Sequence, residues 1–266
     1  MNKLPLITLT SDFGLQDGFV GAMKGVVLGL CPQARLVDLS HAVPPQDVLA
    51  GALLLARAAP WFPPGTVHLA VVDPGVGTGR RGLAARFGGA FFVGPDNGLC
   101  TPLLEGAEAH GLPVEIFELA NPDYQLASVS RTFHGRDVFA PAAAHLARGV
   151  PLAEFGPPVP DPVRLALPRA ERTTEGWSAH IIAIDVFGNL ATDLSVDRIQ
   201  DPARVVVRCA GHEVRGLVRA YGERPAGTLV ALSDSAGRLE LAVVNGSAAQ
   251  RTGAGIGATV EVVEYI

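Results

Sequence analysis

Asp73 and Arg80 stand seven residues apart in Val67-His-Leu-Ala-Val-Val-Asp-Pro-Gly-Val-Gly-Thr-Gly-Arg-Arg81. A near-continuous apolar run, as in a strand buried on both faces, stops at an acid. Glycines at 75, 77 and 79 let the following backbone approach a ligand closely. A carboxylate at a strand end and a guanidinium a turn later can meet at one spot, each favouring the other's charged form. The same spacing also reads as a tight turn closed by a surface ion pair.

Three other stretches carry side chains of the same kind. Ser11-Asp-Phe-Gly-Leu-Gln-Asp17 follows a first strand and offers two carboxylates, Asp12 and Asp17. Ligands of open α/β sheets bind beyond the carboxyl ends of the strands, and a carboxylate's two acceptor oxygens suit a ribose diol. Either acid could instead cap the next helix, Asp17 being the better placed. Ser130-Arg-Thr-Phe-His-Gly-Arg-Asp137 puts His134 just before a helix, with Asp137 in its first turn. Gly94-Pro-Asp-Asn-Gly98 suits a turn with positive φ.

The elements that must position these groups fall into two patterns. Leu4–Thr10, Arg35–Ser40, the run ending at Val72, Gly82–Phe87, Ala90–Val93 and Val114–Leu119 read as strands. They alternate with helices over Gly18–Leu30, Val48–Ala59, Leu99–Glu105 and Val138–Arg148. This predicts an α/β N-terminal domain with a mostly parallel central sheet, residues 1–157. No helix follows the glycines at 75–79 directly, so a dinucleotide fingerprint is disfavoured. Five prolines between Gly156 and Pro168 read as a stiff connector, placed at 158–172. Beyond it, His180–Asp185, Arg204–Cys209, Glu213–Leu217, Thr228–Ser233, Leu239–Val244 and Ala258–Val263 are short strands with glycine-bearing turns. They predict a small all-β, barrel-like C-terminal domain over 173–266.

The 266 residues are 48% hydrophobic and 18% charged, which argues a folded chain with real cores. A net charge of −5 gives no electrostatic footprint for nucleic acid. Three cysteines, far apart, suggest neither a disulfide framework nor a thiolate metal site. The opening residues are too short an apolar run for a signal peptide or a membrane span. The expectation is a cytoplasmic protein with no membrane partner.

Taken together, Ser11-Asp-Phe-Gly14 with Asp17, Val72-Asp-Pro-Gly-Val-Gly77 with Arg80, Gly94–Gly98, Phe133-His-Gly-Arg-Asp137 and Asp185-Val-Phe-Gly-Asn189 resemble the S-adenosyl-L-methionine (SAM) hydroxide adenosyltransferases, relatives of fluorinating and chlorinating enzymes. The resemblance spans essentially the whole chain. It implies hydrolysis of SAM to adenosine and L-methionine with no metal and no cofactor. It also implies a homotrimer whose active sites lie between the N-terminal domain of one subunit and the C-terminal domain of its neighbour. Carried over by position, Asp73, Arg80 and His134 would activate water. Asp12 would take the ribose hydroxyls and Asp17 would be a further substrate-binding residue; Asp185 would meet the methionine ammonium, with Ser235 near its carboxylate. Phe187 and Tyr221 would sandwich the adenine and Asn189 bond its edge.

Where halogenating relatives carry an aromatic residue this chain has Asp73, whose charge repels a halide, so water is the expected nucleophile. Three other readings stay open, the first being a halide-dependent, SAM halogenase-like enzyme. The oxygen-rich set Asp12, Asp17, Asp73, His134 and Asp137 would accept a hard divalent cation, although Arg80 beside Asp73 competes with one. A non-catalytic adenosine- or SAM-binding protein would need the binding residues but not the water-activating trio.

Overall fold

The computed structural model describes residues 4–265, and the chain divides into two compact units, Met1–Ala166 and Leu167–Ile266. In chain order the first holds β1 (Leu6–Ser11), α1 (Phe19–Leu30), β2 (Arg35–Ser40), α2 (Val48–Ala58), β3 (Val67–Val71), β4 (Gly82–Phe87), β5 (Ala90–Pro95), α3 (Thr101–Ala109), β6 (Val114–Glu118) and α4 (Ala140–Ala147). Its sheet runs β2-β1-β3-β5-β4-β6. Only β4 is reversed: it returns from β3 and pairs antiparallel with β5 and β6, through a hairpin whose Gly88 has φ 60°.

Period-two alternation sorts the side chains. Ile7, Leu9, Val67, Leu69 and Val71 face α1 and α4, whereas Ala70, Val72 and Phe92 face α2 and α3. With both faces covered, every residue of β3 is buried, which is why that strand reads as unbroken apolar sequence. Asp47 caps α2, accepting the Ala50 N–H at 2.9 Å. Asp17 does not cap α1: the cap position is Gly18, at φ 70°, without a side-chain bond. A glycine in the left-handed region enters the helix at little steric cost, leaving Asp17 exposed.

The proline-rich stretch, expected as a connector from 158, lies along the first unit as far as 166. Val159 is buried and its N–H reaches Ile116 O. Asp96 accepts the Val163 N–H and Thr101 the Leu165 N–H, at 2.8 and 2.9 Å.

The second unit holds β7 (Glu171–Arg172), β8 (Gly176–Ile184), β9 (Leu190–Ser195), β10 (Val205–Cys209), β11 (His212–Arg215), β12 (Leu229–Ser233), β13 (Arg238–Val243), α5 (Ala248–Thr252) and β14 (Thr259–Glu264). Its main path, β11-β10-β14-β8-β9-β13-β12, is antiparallel throughout. The chain leaving β11 donates Val218 N–H to Ala231 O on β12, nearly closing the barrel. The strand β9 escapes a sequence reading because Thr192 and Asp193 interrupt its apolar pattern. Both are buried and satisfied: Thr192 bonds Leu239 O and Asp193 takes the His180 N–H.

Candidate active site

On the first unit, Asp73 follows β3 by two residues, and Arg80 reaches back across the glycine turn. Arg80 Nε lies 2.9 and 3.0 Å from the two Asp73 oxygens, and Nη2 completes a bidentate pair. The same Nη2 donates to His134 Nδ1 at 2.8 Å. The guanidinium stacks 5.0 Å from the Phe139 ring centroid. Asp73 is 4% and Arg80 12% exposed at the side chain, so this charged pair is far from the screened surface ion pair that its spacing also allowed.

Arginine only donates hydrogen bonds, so Nδ1 must accept, which fixes the neutral Nε2–H tautomer of His134. Burial holds its pKa below the ordinary 6.5, and Arg80 pushes the same way; Asp73 and Asp137 oppose. His134 immediately precedes a π-helical turn, Gly135–Phe139, an uncommon geometry that concentrates at functional sites. Its Asp137 is fully buried. Burial alone would raise that carboxyl, but Arg136 and Ser130 outweigh it and hold it low.

Two glycines bring these loops together. Gly77 has φ 76°, and a Cβ there would lie 2.2 Å from Arg131 O, so the turn carrying Arg80 rests directly on the segment leading to His134. A Cβ at Gly135 would lie 3.2–3.3 Å from side-chain atoms of Met23, Phe13 and Phe133, tight enough that those neighbours would have to give way.

Asp12 leaves the end of β1 next to the end of β3, one position short of Asp73 in register, since Ser11 pairs with Val71 across the parallel strands. Its Oδ2 accepts the N–H of Gln46 at 2.8 Å, and Gln46 is held at φ 64°. A polar chain running from buried Ser11 and His41 out to the surface braces this loop from behind. Ser11 Oγ contacts His41 Nδ1 at 2.7 Å, His41 Nε2 lies 3.1 Å from Asp38, and Lys24 closes on Asp38 at 2.6 Å. Gly14 N–H reaches His41 O. Ser11 is wholly buried, so this array works as a strut. Neither it nor Gln46 was read from the sequence; the polar run Ser40-His41 after β2 was the available signal.

On the second unit, Asp185, Phe187 and Asn189 share the β8–β9 loop. Asp185 Oδ1 accepts the N–H groups of Phe187 and Asn189, both at 2.9 Å, while Oδ2 takes Asn189 Nδ2 at 3.0 Å. Gly188 at φ 80° lies against Ser247, where a Cβ would be 2.0 Å from its Oγ. Phe187 therefore projects outward, 71% exposed. With Tyr221, these residues line an open groove of about 520 Å³. The Tyr221 hydroxyl donates to Glu240 at 2.7 Å, and burial with Glu240 beside it pushes the phenol up to about 12. The groove also includes Val243, Asn245 at φ 52°, and Gly246, signalled in sequence by the turn-forming Asn-Gly pair.

Ser235 is not among the groove's lining. It is exposed on the β12–β13 turn, whose N–H groups at Ala236 and Arg238 bond Asp234. Among the described residues no three His, Cys, Asp or Glu side chains gather as metal ligands. The oxygens that a cation would need at Asp73 and Asp137 already serve Arg80 and Arg136.

A mixed α/β unit with an acid, guanidinium and imidazole joined beyond its strand ends, followed by a barrel unit with an aromatic-edged groove, defines a two-part enzyme for small organic molecules. Residues 7–156 match the SAM hydroxide adenosyltransferase N-terminal domain and residues 179–261 the C-terminal domain of that family. The chain belongs to the SAM hydroxide adenosyltransferase family. It is 46% identical, over 94% of each chain, to a protein of Salinispora arenicola named (R)-S-adenosyl-L-methionine hydrolase. A fluorinase of Actinoplanes sp. is 34% identical over 73% of this chain and 72% of its own. The crystal structure of an uncharacterised conserved protein from Thermotoga maritima superposes with a TM-score of 0.90 at 35% identity, covering 97% of this chain and all of the other.

Proposed function

We propose that this protein hydrolyses SAM to adenosine and L-methionine by in-line attack of an activated water on C5′. The observation that carries the reading is the single hydrogen-bonded cluster of Asp73, Arg80 and His134. Binding a nucleoside needs no such cluster, whereas orienting and deprotonating water does. The sulfonium leaves as a neutral thioether, so aligning the nucleophile is the main task, and such positioning supplies roughly 7–11 kcal/mol. Asp73 keeps lone pairs beyond those given to Arg80, and these orient the water and take its proton. Arg80 stabilises the developing hydroxide, and His134 holds Arg80 in register.

Asp12 takes the ribose hydroxyls, Asp17 is a further substrate-binding residue, Phe187 and Tyr221 stack on adenine, Asn189 bonds its edge, and Asp185 meets the ammonium. Ser235, exposed on the β12–β13 turn, lies near the substrate carboxylate in this reading. The reaction uses no metal or other cofactor. The residues for adenine and the methionine part lie on the second unit, and the ribose-binding and water-activating residues on the first. We therefore propose a homotrimer in which one chain's first unit serves its neighbour's second unit. The exposed apolar pair Val186 and Phe187, at 92% and 71%, supports a covering partner. Buried, unpaired cysteines and the lack, among the described residues, of any helix long and apolar enough to cross a membrane support a reducing cytoplasmic setting.

Purified protein mixed with SAM and followed by chromatography should release adenosine and methionine in equal amounts, with chloride and fluoride making no difference. A halogenated nucleoside would favour the halogenase reading, and intact substrate the binding-protein reading.

A further inference from the structure

Asp12 stands on a loop whose next residues, 14–19, are exposed, and an aspartate so placed would otherwise sample several rotamers. What fixes it comes from one other segment, the turn leaving β2. The β1–β2 register slips between Leu9–Asp38 and Thr10–Ser40, so Leu39 is an extra residue on β2. Such a bulge bends its strand and re-aims the side chains beyond it. The residue beyond is His41, 6% exposed.

His41 holds both flanks of Asp12. On one side its Nδ1 meets Ser11 Oγ at 2.7 Å, and that oxygen takes the Phe13 N–H at 3.3 Å. On the other, its carbonyl accepts the Gly14 N–H at 2.8 Å. Asp38 Oδ1 lies 3.1 Å from Nε2, a charge contact outside hydrogen-bond alignment. It favours the proton on Nε2, which leaves Nδ1 to accept from the Ser11 hydroxyl. Burial would raise the Asp38 carboxyl, but Lys24 and His41 outweigh it and hold it low. Further along the same turn, Gln46 donates its N–H to Asp12 Oδ2 at 2.8 Å. Its φ of 64° is strained for this residue and persists only where the surroundings fix it. Oδ1 and the second lone pair of Oδ2 remain for a ligand. Two charge-assisted bonds from a vicinal diol fit them, provided the carboxylate keeps its aim. We propose, resting on the ribose role given to Asp12 above, that His41 is a positioning residue that sets selectivity for the vicinal hydroxyls of a ribose. Its side chain touches Ser11 and Asp38 and acts on the ligand only through Asp12.

The test is calorimetry on the full chain with adenosine and 2′,3′-dideoxyadenosine. The wild type should bind adenosine tighter by about tenfold or more, and Asp12→Ala should erase that preference. In His41→Leu the preference should fall towards one through weaker adenosine binding alone, with dideoxyadenosine bound as in the wild type. His41→Asn, whose side chain returns an acceptor near the Nδ1 position, should regain most of it. Asp38→Ala guards against a His41→Leu that does not fold. Its side chain is 38% exposed, so melting should hold while part of the preference is lost. Full preference in Asp38→Ala and in every His41 variant that folds would overturn the role of His41, as would equal weakening of both ligands. A wild type without the preference, or an Asp12→Ala that keeps it, would instead remove Asp12 from the ribose, and the role of His41 with it.

Discussion

His134 shows how one proton decides what a cluster can do. Its Nδ1 must be bare to accept Arg80, and burial with the guanidinium keeps it so at neutral pH. Protonation would set two cations face to face, so turnover should fall on an acid limb with its midpoint below 6.5, and that limb should vanish from a pH profile of His134→Gln. Asp73→Asn, Arg80→Ala and His134→Ala should each cut kcat by about 10²–10⁴-fold with far smaller changes in KM; steady-state kinetics at saturating SAM checks this. His68 makes a separate, structural statement. Its folded-state pKa is lowered from 6.5 to about 4 by burial, so between those values the unfolded chain binds the proton first. Stability is therefore complete above 6.5 and drains by up to roughly 3 kcal/mol as pH falls toward 4. Urea midpoints measured against pH should lose most of that slope in His68→Phe.

At the scale of elements, the site depends on two loops being locked to each other. Gly77→Ala must find room for a methyl 2.2 Å from Arg131 O and adopt φ 76°. It should cost about 1–3 kcal/mol and reduce turnover as well, because Arg80 and His134 separate. Gly79→Ala, with nothing within 4 Å, should leave thermal unfolding and activity close to wild type. Much of this frame was legible in the sequence: β3 through its unbroken apolar run, the β4–β5 hairpin through Gly88-Gly89, the acid-to-arginine spacing through its glycines. What stayed hidden was set by long-range pairing. Thr192 and Asp193 disguise β9 until Leu239 and His180 satisfy them. Gln46 gives no local sign that its backbone will reach Asp12. Asp17 had the right residue type for a helix cap, but Gly18 reached the required backbone conformation more cheaply.

For the whole molecule, the proposed division of labour can be tested by mixing defective chains. If catalysis and adenine binding come from different subunits, Asp73→Asn and Phe187→Ala, each nearly inactive alone, should recover a measurable fraction of turnover after dissociation and reassembly together. Activity that stays at the sum of the two would place each complete site within one chain. The braced loop behind Asp12 has a practical corollary. Ser11, His41 and Asp38 present the residue types of a hydrolase triad, yet the hydroxyl is sealed from solvent and already engaged with the imidazole and the Phe13 N–H. Fluorophosphonate probes should leave this serine unlabelled, and a cell-wide survey that finds hydrolases by such labelling would pass this enzyme by.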